Sequence, residues 1–232
     1  MDEAAMIDCP SPNFDERTLP VSILVLHYTG MADAASAIAR LADPQAKVSA
    51  HYLVAEDGQI VRMVDEDKRA WHAGRSAWRG ITDVNSASIG IEIVNPGHEL
   101  GYHPFPEAQM QAVLPLVARI VGQYGIAPHN VVGHSDVAPA RKKDPGELFD
   151  WERLASLHLA LKRPKLGADP GWTDAGTLLA LSRFGYDVQD GPAAVRAFQR
   201  RFRQERVDGM IDAQTRSLLL ALLLEIERGA AR

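Results

Sequence analysis

The chain has 232 residues, 46% of them hydrophobic, so it can bury a sizeable core and form one large domain or two unequal ones. Its formal net charge is −5, and no basic run is dense enough to form an electrostatic footprint for nucleic acid. No segment reaches the roughly 18 apolar residues that a membrane span requires. These properties give no support to a nucleic-acid-binding protein or a protein that spans a membrane.

The N-terminal segment, residues 1–20, is polar and rich in proline, which predicts an extended arm over the surface, with the fold beginning at Val21. It has neither a positive n-region nor an apolar h-region, so we expect a cytoplasmic protein, or a periplasmic one if a signal sequence was removed. The only cysteine, Cys9, excludes an internal disulfide framework and a cysteine-rich zinc site.

Residues 21–163 mix strand and helix patterns, which predicts an α/β sheet. Helices are predicted over residues 33–41 and 110–121, and Pro115 within the second predicts a kink or a restart. Asp57 and Gly58 predict a hairpin turn. The predicted strands are residues 21–27, 49–55, 59–64, 89–94 and 130–133.

A change of pattern follows residue 164. Residues 164–171 are typical of a linker, and residues 172–232 contain only helical patterns, so we predict a small all-α domain of three helices after the larger domain. The first of these helices should end at Gly185, and the third should begin after Asp212. Because this part contains no cluster of catalytic residue types, its predicted role is binding or packing.

Residues suited to metal chemistry stand at or after the predicted strands. His27 and Glu92 lie in two strands, and His134 follows a third. Asp144 and Lys142 lie in the loop after His134. Each alone would more often be a hydrogen-bonded structural group. Together, two imidazoles and a carboxylate form a three-ligand zinc set with a fourth position for water, and a further glutamate can serve as a general base. The sequence therefore indicates a zinc hydrolase.

Six motifs occur in order between residues 20 and 160. They are LHYT at 26–29, SAHYLV at 49–54, RAWHAG at 69–74, SAWRG at 76–80, SIGIE at 88–92, and the stretch from His134 to Gly146. This set resembles the zinc-dependent N-acetylmuramoyl-L-alanine amidases of the AmiD and AmpD kind, which are related to the peptidoglycan-recognition proteins. Less specifically, VRAFQRRF at 195–202 and VDG at 207–209 resemble the three-helix peptidoglycan-binding module.

The resemblance implies a mixed central β-sheet flanked by helices, and one zinc ion held by His27, His134 and Asp144. Glu92 would act as the base and Lys142 would stabilise the oxyanion during hydrolysis of the amide between the lactyl group of N-acetylmuramic acid and L-alanine. Residues with predicted substrate contacts are Tyr28, Lys47, Ala70, Trp71 and His72. For Tyr28 and Trp71 a place in the core, and for Lys47 a solvated surface position, remain alternatives.

The remaining histidines receive other roles. His72 is predicted to lie on the cleft wall or behind a ligand, and His51 to be buried and hydrogen-bonded. His98, His103, His129 and His158 are expected to be solvated.

The predicted partners are muropeptides, and three functions compete. The favoured one is hydrolysis of 1,6-anhydromuropeptides during peptidoglycan recycling. The alternatives are a periplasmic amidase that acts on intact sacculus and a non-catalytic peptidoglycan-recognition protein. Non-catalytic relatives lose a ligand, most often the third, whereas Asp144 is present here, which favours an enzyme.

Overall fold

The computed structural model describes residues 6–230, without the side chains of residues 229 and 230, so the first five residues of the predicted arm lie outside it. Over this range the chain forms two β-sheets and nine α-helices. The strands are β1 Met6–Asp8, β2 Phe14–Glu16, β3 Ile23–Tyr28, β4 Tyr52–Val54, β5 Ile60–Arg62, β6 Lys68–Ala70, β7 Ser88–Ile93 and β8 Val131–Gly133. The helices are α1 Ala34–Ala42, α2 Val84–Ala87, α3 Gly97–Leu100, α4 Glu107–Tyr124, α5 His134–Val137, α6 Trp151–Ser156, α7 Asp174–Phe184, α8 Gly191–Phe202 and α9 Ala213–Ala230.

The main sheet has six strands in the order β1-β5-β4-β7-β3-β8. β3 pairs in parallel with both β7 and β8, and β7 pairs in parallel with β4. β4 and β5 are antiparallel and joined through the turn at Asp57 and Gly58, as predicted. The sheet is therefore mixed, which confirms the predicted fold class.

The residues of β3 alternate between the two faces of the sheet, as the period of a strand requires. Leu24 and Leu26 belong to a core cluster with the apolar face of α4. Ile23 and Val25 belong to a second cluster on the opposite face, which contains Leu181 and other residues of the last three helices. Because side chains alternate, His27 continues the face of Ile23 and Val25. The sheet is thus covered by helices on both sides.

Pro115 lies inside α4, which runs unbroken over 18 residues, so the predicted restart is wrong. Pro115 has no backbone N–H to donate to the carbonyl of Gln111, four residues earlier. Both residues are exposed. Water can therefore satisfy that carbonyl, and the burial of Val113, Val117 and their neighbours outweighs the roughly 3 kcal/mol that a proline costs inside a helix.

The expectation that the fold begins at Val21 is also wrong. β1 adds an edge strand to the main sheet by pairing in parallel with β5, and β2 forms a second sheet with β6. All three unpredicted strands, β1, β2 and β6, have three residues each. Segments this short contain too few residues to establish an alternating pattern.

The last three helices follow the sequence signals closely. α7 ends at Gly185, and α9 begins after Asp212, whose carboxylate accepts a hydrogen bond from the Thr215 amide at 2.9 Å. The boundary at residues 164–171 stays a prediction, and the core cluster of Ile23, Val25 and Leu181 crosses it. No helix within residues 6–230 is long and apolar enough to cross a membrane.

Candidate active site

A cleft of about 410 Å³ opens at the carboxyl ends of β3, β7 and β8. Crevices at the carboxyl ends of parallel strands are the usual ligand sites of α/β sheets. His134, Asp144, Glu92 and Lys142 all line this cleft, and His27 lies buried beside them. The five residues that sequence reasoning assigned to metal binding and catalysis are therefore brought together.

Three acceptor atoms meet beside the cleft. His27 Nδ1 lies 2.9 Å from His134 Nδ1 and 3.0 Å from Asp144 Oδ2, and His134 Nδ1 lies 2.9 Å from the same carboxylate oxygen. All three side chains are buried, with 1%, 4% and 5% of their residue surface exposed for His27, His134 and Asp144. Since the atoms belong to three different segments of the chain, the fold itself creates this cluster.

Hydrogen bonds on the far side of each imidazole fix which nitrogen faces the cluster. His134 Nε2 donates to the Ala73 carbonyl at 3.1 Å, because a carbonyl can only accept. A His134 ring whose single proton lies on Nε2 points a lone pair from Nδ1 at Asp144.

The same reasoning applies to His27 through a short relay. The Ser88 hydroxyl donates to the Val84 carbonyl, so it accepts from His72 Nε2 at 3.1 Å. Neutral His72 then offers a lone pair on Nδ1, which accepts from His27 Nε2 at 3.0 Å. His27 Nδ1 is left with a lone pair, and His72 lies behind a ligand candidate as predicted.

Electrostatics agree with a neutral His27 beside an ionised Asp144. Burial, together with the neighbouring His134, lowers the pKa of His27 to about 4. Burial opposes ionisation of Asp144, yet the adjoining His134 and His27 hold the pKa of Asp144 below its ordinary value. Two imidazole lone pairs and one carboxylate oxygen in mutual contact repel one another unless a cation lies among them. Within residues 6–230 these three form the one group of its kind that can hold a metal ion.

Glu92 lies across from His27, its register partner on the neighbouring strand β7. Its Oε2 is buried and has no hydrogen-bond partner among the described residues. Burial and the negative charge of Asp144 raise the pKa of Glu92 well above its ordinary value, while Lys142 opposes this shift. An unpartnered carboxylate of raised basicity at the cleft floor is suited to accept a proton from a reacting group.

Four cationic side chains line the cleft: Lys142, Lys143, Arg40 and Arg141. Sequence reasoning identified only Lys142. Arg40 comes from α1, and Arg141 is held beside the site by hydrogen bonds to the carbonyls of Ala73 and Arg75. Arg141 and Lys143 adjoin Lys142 in the motif from His134 to Gly146, whereas Arg40 lies outside it, so only the fold reveals that α1 faces the same cavity. These four cations share the cleft with the carboxylates of Glu92, Glu99 and Asp144, and each cation can pair with a carboxylate of a ligand.

Comparison with known proteins identifies the family. The model of the Amidase_2 family, N-acetylmuramoyl-L-alanine amidase, matches residues 17–147. The chain is also 39% identical to the N-acetylmuramoyl-L-alanine amidase AmiD of Escherichia coli K12, over 88% of this chain and 82% of AmiD. The chain belongs to the N-acetylmuramoyl-L-alanine amidase family. An amidase is the function first predicted, and the non-catalytic alternative is not retained.

Other relatives extend the comparison. The amidase is 34% identical to the 1,6-anhydro-N-acetylmuramyl-L-alanine amidase AmpD of Haemophilus influenzae, over 67% of this chain and 95% of AmpD. The solved structure of E. coli AmiD with the substrate anhydro-N-acetylmuramic acid-L-Ala-D-gamma-Glu-L-Lys superposes with a TM-score of 0.80 at 38% identity, covering 91% of this chain and 92% of AmiD. AmpDh3 of Pseudomonas aeruginosa has a TM-score of 0.82 at 32% identity, with 89% and 92% covered.

The predicted substrate contacts of the amidase divide into two groups. Tyr28, Trp71 and His72 line the cleft. Lys47 is exposed but does not line it, and Ala70 is fully buried on β6, where it pairs with Phe14. Because Ala70 has no exposed surface and Lys47 lies outside the cleft lining, the geometry of the cleft supports neither of these two predictions.

His51 is buried and hydrogen-bonded to the Gly90 amide, as expected. His98 was expected to be solvated, but it forms hydrogen bonds with two side chains. The Tyr28 hydroxyl lies 2.9 Å from His98 Nδ1, and His98 Nε2 lies 3.1 Å from Glu147. This chain of contacts fixes the orientation of Tyr28 on the cleft wall. Burial raises the pKa of Tyr28 to about 12, so its hydroxyl stays protonated near neutral pH.

Proposed function

We propose that this amidase is a zinc enzyme that hydrolyses the amide bond between the lactyl group of N-acetylmuramic acid and L-alanine of the stem peptide. The observation that carries the proposal is the cluster of acceptor atoms on His27, His134 and Asp144. Imidazole and carboxylate ligands suit zinc, and amide hydrolysis needs a Lewis acid and no redox step. When bound, zinc would polarise the scissile carbonyl and activate water.

The chain's own residues would perform the proton transfers. Glu92 accepts a proton from water as the water oxygen forms a bond to the carbonyl carbon, and the carbonyl becomes an oxyanion. Lys142 stabilises that oxyanion with its positive charge. The C–N bond then breaks, Glu92 returns the proton to the departing amine of L-alanine, and the new lactyl carboxylic acid ionises by giving its proton to the free amine. His72 and the Ala73 carbonyl hold the two imidazoles in orientation throughout.

The substrate class follows from the relatives and from the charge of the cleft. AmiD is solved with an anhydromuropeptide, and AmpD is named for the 1,6-anhydro sugar. Arg40, Arg141 and Lys143 supply positive charge along the same cleft, which suits the carboxylates of a stem peptide. We therefore infer that soluble 1,6-anhydromuropeptides are preferred over intact sacculus, in keeping with a role in peptidoglycan recycling in the cytoplasm.

Metal analysis and hydrolysis together test the proposal. The wild-type protein should contain one zinc per chain and release the tripeptide from 1,6-anhydro-N-acetylmuramyl-tripeptide. Asp144→Ala should lose both properties, whereas Asp150→Ala, an exposed aspartate in the same region, should keep both. Full zinc content in Asp144→Ala at matched stability would contradict the ligand assignment. Faster release from sacculus than from the soluble fragment, or native protein in the periplasmic fraction, would contradict the recycling role.

A further inference from the structure

Asp136, two residues after His134, is buried with 1% of its surface exposed and accepts three hydrogen bonds. One comes from the Gly133 amide at 2.8 Å. The other two come from the last third of the chain: the Tyr186 hydroxyl donates at 2.6 Å, and Arg201 Nη1 donates at 3.0 Å. The segment around His134 is therefore tied directly to the C-terminal helices.

Arg201 contacts this segment at a second point. Its Nη2 donates to the Val131 carbonyl at 2.7 Å, so one guanidinium bridges β8, which precedes His134, and Asp136 in α5, which begins at His134. The Arg201 side chain is 5% exposed and lies 4.0 Å above the Trp151 ring. A planar, forked donor held on an aromatic face has little freedom to move. Arg201 thus clamps both ends of the segment that presents His134.

The clamp reaches the ligand cluster through the backbone. Gly133 and Ser135 flank His134, and the Ser135 amide donates to the Asp144 carbonyl at 2.9 Å. Any movement of residues 131–136 would therefore shift His134 and Asp144 against His27. Metal ligands need to be held within about 0.5 Å of their productive positions by the groups around them.

We propose that Arg201 and Tyr186 are positioning residues for the metal centre, so that the three C-terminal helices form part of the amidase site and do more than bind peptidoglycan or cover the core. This inference rests on the proposed metal set of His27, His134 and Asp144. Neither Arg201 nor Tyr186 is a ligand. Both act through Asp136 on the backbone that carries His134.

The test compares zinc binding with stability in three single variants of the full chain. Arg201→Lys removes the bridge, and Tyr186→Phe removes only one hydroxyl. Arg203→Lys is the matched control, because Arg203, which directly follows α8, is also buried and forms ion pairs. Its partners Asp208 and Asp212 lie in the loop between α8 and α9, so these ion pairs stay within the C-terminal part of the chain. Zinc dissociation constants come from chelator competition, stability from urea unfolding, and the exchange rate of the Gly133 amide from hydrogen exchange of the metal-free protein.

Arg201→Lys should weaken zinc binding about tenfold and Tyr186→Phe severalfold, the size typical when a group supporting a ligand is lost. Both should speed exchange of the Gly133 amide. Arg203→Lys should bind zinc within about twofold of the wild type despite lower stability. If both Arg201→Lys and Tyr186→Phe bind zinc with wild-type affinity, this inference is refuted and the proposed function is unaffected. A wild-type protein without zinc would overturn the proposed function and the inference with it.

Discussion

Replacing Gly90 by alanine should disturb the proposed metal site without changing any of its three candidate ligands. Gly90 lies in the middle of β7, between Ser88 and Glu92, and its backbone conformation is open to any residue. The constraint is space, because a Cβ at this position would lie 2.4 Å from Cγ and 2.6 Å from Nδ1 of His72. Ordinary van der Waals contact begins near 3.4 Å, so the imidazole or the strand must move by about 1 Å.

The His72 ring cannot move by about 1 Å without a loss of stability. The ring is buried, and both ring nitrogens form hydrogen bonds, one with Ser88 and one with His27. Overpacking of this kind costs about 1–3 kcal/mol of stability. A shift of His72 also removes the acceptor that fixes the orientation of His27, and loss of such a partner typically weakens metal binding about 10–100-fold.

Urea unfolding and zinc competition measure the two effects of Gly90→Ala. The control is Gly122→Ala, which lies exposed on α4 with nothing within 4 Å of an added Cβ. That change should leave zinc affinity unaltered and raise helix stability by up to about 1 kcal/mol. If Gly90→Ala unfolds and binds zinc like the wild type, the argument from the His72 contact is refuted.

Three further outcomes follow from the site and the core. Glu92→Gln should retain zinc and fold but lose at least about a hundredfold in turnover, and near-normal rates would remove Glu92 as the base. Lys142→Met should lose about a hundredfold in kcat with zinc retained, while Lys165→Met, exposed in the predicted linker, should behave as wild type. Phe198→Ala, fully buried against the last helices, should lower the unfolding free energy by about 3–5 kcal/mol in urea.

The ligand candidates could be predicted because each one stands beside a strong local signal. His27 ends a run of apolar residues, and Glu92 interrupts another, so each position is marked by its contrast with its neighbours. His134 and Asp144 follow a buried strand in a loop that has no structural need for so many charged groups. Parallel strands then bring such positions to one edge of the sheet, which local sequence can anticipate.

The remaining contributors to the site depend on contacts between distant segments. Arg40 and Arg141 reach the same cleft from α1 and from the loop after α5, and no spacing in the sequence relates them. Ala70 is buried on β6, which pairs with β2, and β2 is too short to be recognised from the sequence. His98 is ordered by Tyr28, 70 residues earlier.

The buried ion pair between Arg201 and Asp136 gives a reason for the position in which the C-terminal helices pack. Burying two charges costs several kcal/mol per ion, and well-packed apolar residues often stabilise a core equally well or better. Stability alone is therefore a weak reason for this pair beneath the sheet. Its geometry offers a stronger one, since the guanidinium spans the backbone on both sides of His134 and ends on an aromatic face. An apolar pair could fill the same volume, but it could not hold a carbonyl and a carboxylate at fixed points on either side of the imidazole.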